Sequence, residues 1–124
     1  MSAISVSAAL LLALHGAECD FARNPPPGDN GKALGILQIH KEVIDDVNRV
    51  YHTRYRHTDA LDPVKAFAIC KLYLWYWGGR YQRYTGKVPT PQVLARIWHG
   101  GPWGWRHPKT VRYWRLRVAP HLNL

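Results

Sequence analysis

Between Asp62 and Gly78 the chain carries a segment that is apolar on nearly every side: Val64, Phe67, Ala68, Ile69, Leu72, Leu74, Trp75 and Trp77. As a helix it has no polar face to offer water, so it must be buried among other helices. Its start is marked by Asp62-Pro63, an N-cap followed by proline at the first helical position. Gly78-Gly79 is expected to end or kink it. A chain of 124 residues, 47% of them hydrophobic, can build one core around such a helix but not two. These features predict a mainly α fold, α+β at most, in a compact single domain spanning residues 1–124 with one small irregular or hairpin lobe.

The partners of this helix are also visible. Ser2 to Ala17 has Val6, Leu10 and Leu14 at four-residue steps, with Leu11 three before Leu14, which predicts an amphipathic helix. A second helix is predicted from about Lys41 to Tyr51. Thr90-Pro91 repeats the cap-plus-proline start and opens a helix through Val93, Leu94 and Ile97 that stops at Gly100-Gly101-Pro102. A last helix, about Pro108 to Ala119, is expected to turn Val111, Trp114 and Val118 inward and to leave Arg112, Arg115 and Arg117 in solvent. From Phe21 to Leu37 the chain is rich in Pro, Gly and Asn, and an irregular lobe or short hairpin is expected there.

Seventeen Lys and Arg against eight Asp and Glu give a formal charge of +9. That excess favours polyanionic partners: nucleic acid, anionic membranes or bacterial cell wall. Two cysteines exclude a disulfide-dense scaffold, and whether Cys19 and Cys70 pair is open in the sequence. Neither they nor the seven scattered histidines have metal-ligand spacing, so no metal and no cofactor is expected. The apolar N-terminal run has no Lys or Arg before it and is shorter than the roughly 20 residues of a membrane span, so it reads as part of the fold rather than as a signal peptide.

Glu18 and Asp29 stand out chemically. Glu18 continues the apolar stripe of the first helix, four residues beyond Leu14 and seven beyond Leu11, so its carboxyl is expected to face the interior, where desolvation disfavours the charged form. The carbonyls at the helix C-terminus push the same way. Asp29 lies in Pro25-Pro26-Pro27-Gly28-Asp29-Asn30-Gly31, a turn-rich stretch expected to leave it ionised. Such a pair can divide the work of proton donor and charged partner. The plainer alternatives are a solvated helix-end glutamate and a turn-forming aspartate. Asp45 and Asp46, within a helix, suit surface ion pairs.

Three segments in order resemble the lysozyme-like superfamily, particularly soluble lytic transglycosylases and invertebrate-type lysozymes. They are Ala17-Glu18-Cys19, Gly31-Lys32-Ala33-Leu34-Gly35-Ile36-Leu37-Gln38-Ile39, and Ala95-Arg96-Ile97-Trp98-His99-Gly100-Gly101-Pro102. The resemblance spans roughly Leu10 to Val118. It implies Glu18 as the general acid that protonates a leaving glycosidic oxygen, and Asp29 as the second carboxylate of the invertebrate-type branch, which the transglycosylase branch lacks. It further implies that Gln38 contacts a sugar or shapes the groove, with a bond to local backbone as the alternative. Gly100 and Gly101 would allow close approach of backbone to a bound chain, or serve simply as a helix C-cap. The chain departs from the family pattern at Cys19, where Ser is usual, and at His99, where Asn is usual. Of Trp98, Trp103 and Trp105, which flank the Gly-Gly-Pro turn, one is expected to line the groove, since aromatic faces pack well on sugar rings.

On this reading the expected function is a peptidoglycan-cleaving glycosidase acting between N-acetylmuramic acid and N-acetylglucosamine. The alternatives are a lytic transglycosylase giving anhydro-muropeptides, or a non-catalytic basic glycan- or nucleic-acid-binding module. The candidate site comprises Glu18 and Asp29 with Gln38, Trp98, His99, Gly100, Gly101 and Trp103. The expected partner is bacterial peptidoglycan, with no metal and no specific nucleic acid, and the expected state is a monomer. The expected place of action is the cell wall, periplasmic or extracellular, reached by phage endolysin release or another delivery route.

Overall fold

The computed structural model describes residues 4–122. Among them the order is α1 (Ala8–Cys19), α2 (Lys41–Tyr51), a 3-10 turn (His57–Leu61), α3 (Pro63–Thr85), α4 (Pro91–Gly100), a 3-10 turn (Gly104–Arg106) and α5 (Pro108–Tyr113). A π-helical turn (Trp114–Val118) and a final 3-10 turn (Ala119–Leu122) follow. The fold is mostly helical, as the periodicities predict. Leu10, Leu14, Leu37, Ile39, Ile69, Leu74, Leu94 and Ile97 meet in one core that every helix from α1 to α4 enters.

Three helix starts follow from local chemistry. The Ser7 hydroxyl accepts from the Leu10 N–H at 3.1 Å, the Asp62 carboxylate from Val64 at 2.9 Å, and the Thr90 hydroxyl from Val93 at 3.2 Å. Each cap satisfies a donor that the first turn leaves orphaned. The expected start of the first helix at Ser2 is corrected: residues 1–3 lie outside the described residues, Ile4–Ser7 is not helical, and Val6 enters the core from that leading segment.

Gly78-Gly79 neither ends nor kinks α3, which continues to Thr85 and stops at Gly86, a left-handed residue at φ 76°. The reason is packing. A Cβ on Gly78 would lie 3.0 Å from Leu94 Cδ2 and 3.2 Å from Ile4 Cγ2, so its absence lets α4 and the leading segment sit against the helix. That contact offsets the roughly 1 kcal/mol by which a mid-helix glycine falls short of alanine. α3 is also less enclosed than its composition implies: Val64 and Trp75 are exposed, Trp75 with Lys71 Nζ 5.0 Å over its ring.

The predicted irregular lobe is held by two isolated antiparallel bridges, Gly28 to Ala33 and Leu34 to Ile39, rather than by a regular hairpin. It is pressed onto the turn before α3, since a Cβ on Gly35 (φ 77°) would collide with the Ala60 carbonyl. The C-terminal segment departs most from expectation. A π-helical turn, Trp114–Val118, replaces the regular 3.6-residue period after Tyr113. Val118 is buried and Trp114 packs against the core as expected, whereas Val111 is exposed and Tyr113 is buried in its place; Arg117 stays exposed, as expected, while bonding to the Ala17 carbonyl of α1.

Candidate functional site

Glu18 sits one residue before the end of α1, where Asp20 at φ 53° turns the chain and donates its N–H to Gly16 O at 2.9 Å. Its carboxyl is largely shielded. The Tyr113 hydroxyl donates to Glu18 Oε2 at 2.6 Å, a contact across 95 residues of sequence. Arg117 donates from Nη2 and Nε to the Ala17 carbonyl at 2.7 and 3.2 Å, capping the C-terminal end of α1 and setting a positive charge near the carboxyl. Burial dominates this balance and raises the Glu18 pKa from 4.5 to about 7, with the Tyr113 hydrogen bond and the Arg117 charge opposing it. At neutral pH a large share of the molecules therefore carry a proton on Glu18.

Two depressions meet at Glu18 and His99. One, of about 290 Å³, is lined by Glu18, Asp29, Gln38, Ile39, Trp98 and His99, among others. The other, of about 520 Å³ and more open, is formed by Glu18 and His99 with Lys109, Arg112, Tyr113 and Arg117. His99 stacks flat on Tyr113, with ring centroids 3.9 Å apart and planes 7° from parallel. Burial of the imidazole lowers its pKa, so it is predominantly neutral at pH 7 and presents one donor and one acceptor. The stack also fixes Tyr113, which in turn holds Glu18.

Asp29 faces Glu18's cleft from the lobe. It is left-handed at φ 49° inside the turn closed by the two Gly28–Ala33 hydrogen bonds at 2.9 and 3.0 Å. Its carboxylate is exposed and lies 3.3 Å from His40 Nε2. The carboxyls of Glu18 and Asp29 therefore occupy contrasting surroundings on one cleft. Gln38, also left-handed, donates from Nε2 to the Gly35 carbonyl at 2.9 Å and to the Pro26 carbonyl at 3.5 Å, which ties the lobe together. It is a wall residue bound to local backbone.

Trp98 lines this cleft, with its ring edge-on to Tyr73 at 5.7 Å. Trp103 does not. It lies with Trp105 in a separate cleft on the C-terminal half of α3, which corrects its place in the expected set. Gly100 and Gly101 do not line the Glu18 cleft either. A Cβ on Gly100 would press on Thr110 Cγ2 at 2.6 Å, and the Gly101 N–H closes α4 onto Ile97 O at 2.9 Å, so their work is packing and capping. Cys19 and Cys70 are free thiols, the former half-buried and the latter buried. The sequence reading missed Tyr113, Arg117 and His40. Tyr113 and Arg117 are recruited from the far end of the chain, and no local spacing signals that.

The fold defined by these elements is shared with known structures. A chain of the crystal structure of Aeromonas hydrophila PliI in complex with Meretrix lusoria lysozyme matches with a TM-score of 0.68 and 22% identity, over 93% of this chain and 90% of that one. No family model matches the sequence, and no curated protein does. A likeness at 22% identity shows the fold alone.

These findings correct the family and activity expected from the motifs. The shared fold comes from a complex of PliI with a lysozyme, and a likeness of fold gives neither partner's role to this chain. Membership of the lysozyme-like superfamily is therefore withdrawn. With it go the expected peptidoglycan-cleaving glycosidase, the lytic transglycosylase alternative and the hydrolase, antimicrobial and endolysin roles. The physical reason is that the motifs have structural work of their own here: Gly100 packs on Thr110, Gly101 caps α4, and Gln38 braces the lobe.

Proposed function

We propose that the chain works by binding, and that the cleft at Glu18 takes a neutral, hydroxyl- and amide-bearing ligand of the kind found in bacterial wall glycan. The observation that carries this is the shielded Glu18 carboxyl, held by the Tyr113 hydroxyl and with its pKa raised to about 7, beside His99 and the indole of Trp98. A carboxylic acid can donate to a hydroxyl or acetamide oxygen, an imidazole can do either, and an indole face covers the apolar side of a sugar ring. The +9 charge favours approach to an anionic envelope, in the periplasm or outside the cell. Asp29 and His40 close the lobe side of the cleft as ligand contacts.

The test is a calorimetric titration with chito-oligosaccharides and solubilised muropeptides, using the parent, Glu18→Gln and Trp98→Ala. Saturable binding that weakens at least about fivefold in Trp98→Ala is expected, since losing an aromatic platform removes roughly 1 kcal/mol or more. No binding by the parent refutes the reading. The recovered ligand is weighed by mass spectrometry: intact chains agree with a binding role, whereas shortened ones would show chemistry beyond it.

The comparison favours a second reading, in which the partner is a protein, because the neighbouring fold comes from a complex of PliI with a lysozyme. Mixing the chain separately with a lysozyme and with PliI, followed by size-exclusion chromatography, distinguishes its side of such a pair. Co-elution with lysozyme gives it PliI's place, and co-elution with PliI gives it the lysozyme's.

A further inference from the structure

We infer that the cleft on the C-terminal half of α3 is a second binding site, taking the bases and phosphates of single-stranded nucleic acid without sequence preference. This cleft, about 350 Å³, is lined by Trp77, Arg80, Arg83, Tyr84, Trp103 and Trp105, among others, and shares no residue with the depressions at Glu18. Arg80 and Arg83 lie ten and thirteen residues beyond Cys70 on α3, roughly 15 and 20 Å along the helix axis.

Its chemistry is distinct from that of the Glu18 cleft. No carboxylate lines it, and among the described residues Arg80, Arg83 and Arg106 make no ion pair. Arg80 and Arg83 are exposed, and Arg106 lies 4.4 Å over the Trp103 ring. Tyr84 and Trp103 are both exposed and meet edge to face at 5.2 Å, so each braces the other while two aromatic surfaces stay open to solvent. Large aromatics left in water beside unpaired guanidinium groups match a ligand that alternates flat rings with negative charge. A nucleotide strand does so at every residue. A base-free polyanion would use the arginines and leave Tyr84 and Trp103 in water, so the exposed rings favour the nucleic acid.

The experiment is fluorescence anisotropy with a labelled twelve-residue oligothymidine, on the whole chain. Three phosphate contacts predict a salt slope of about −2, so binding weakens about twentyfold between 50 and 200 mM salt. Tyr84→Ala is expected to weaken binding at least about fivefold at constant salt, and Arg80→Gln with Arg83→Gln to flatten the salt slope. Circular dichroism and the Glu18-cleft titration confirm that each variant is folded. Binding unchanged in Tyr84→Ala overturns the proposal. So does an abasic strand of equal length, or a phosphodiester wall polymer, that competes as well as oligothymidine, since either shows that charge alone is read.

Discussion

The raised pKa of Glu18 makes a quantitative demand on stability. In the unfolded chain its carboxyl ionises near 4.5, and in the fold near 7. Below pH 4.5 both states carry the proton and ionisation does not affect stability. Between those values the folded state binds more proton than the unfolded state, so the stability this group contributes falls as pH rises and is gone above about 7. A difference of about 2.5 in pKa corresponds to about 3 kcal/mol. Glu18→Gln removes the titration while keeping the volume and an acceptor for Tyr113. Urea unfolding of parent and variant at pH 4, 5.5, 7 and 8.5 at fixed ionic strength isolates this contribution, because the remaining groups cancel in the difference. The parent should lose about 3 kcal/mol relative to the variant across that range. A difference that stays flat, or that grows in the parent's favour with pH, would refute the buried-acid account.

Tyr113→Phe removes the hydrogen bond that favours the charged carboxylate, so the Glu18 midpoint, read by carbon-13 NMR of the labelled side chain, should move above 7; a downward move contradicts the geometry. Gly104→Ala sets a Cβ against the Arg96 carbonyl oxygen, a backbone atom that cannot yield, and should cost more than about 2 kcal/mol in urea unfolding. Gly79→Ala meets nothing within 4 Å in the middle of α3 and should stabilise by about 0.5–1 kcal/mol, measurable as a higher Tm. Thr90→Ala deletes the cap of α4 and should destabilise by about 1 kcal/mol.

Much of the fold is legible locally. Asp62-Pro63 and Thr90-Pro91 mark two helix starts because capping and proline stereochemistry act within three residues. The bounds of α2 follow from an amphipathic run that no neighbour overrides. The errors arise where a distant contact outweighs a local preference. Gly78 reads as a helix breaker, yet Leu94 and Ile4 need the space its missing side chain leaves. The last helix reads as regular, yet α5 ends at Tyr113, whose hydroxyl meets Glu18, and the π-helical turn that follows sets Arg117 on the Ala17 carbonyl. The motif resemblance shows the same limit in function, since short glycine and glutamine motifs serve packing here and carry no family with them.

From its order of residues alone, this chain is committed to a basic, single-core helical fold with a glutamate on the apolar stripe at the end of its first helix, because helix periodicity, capping and charge are properties of near neighbours. The tertiary structure decides what that glutamate becomes. Its pKa near neutral reflects desolvation by burial, which outweighs the opposing hydrogen bond from a tyrosine 95 positions away and the charge of a nearby arginine. Whether Trp98 or Trp103 shares its cleft was likewise decided by how α3, α4 and the lobe pack, because cleft membership depends on distances between elements that local sequence does not encode.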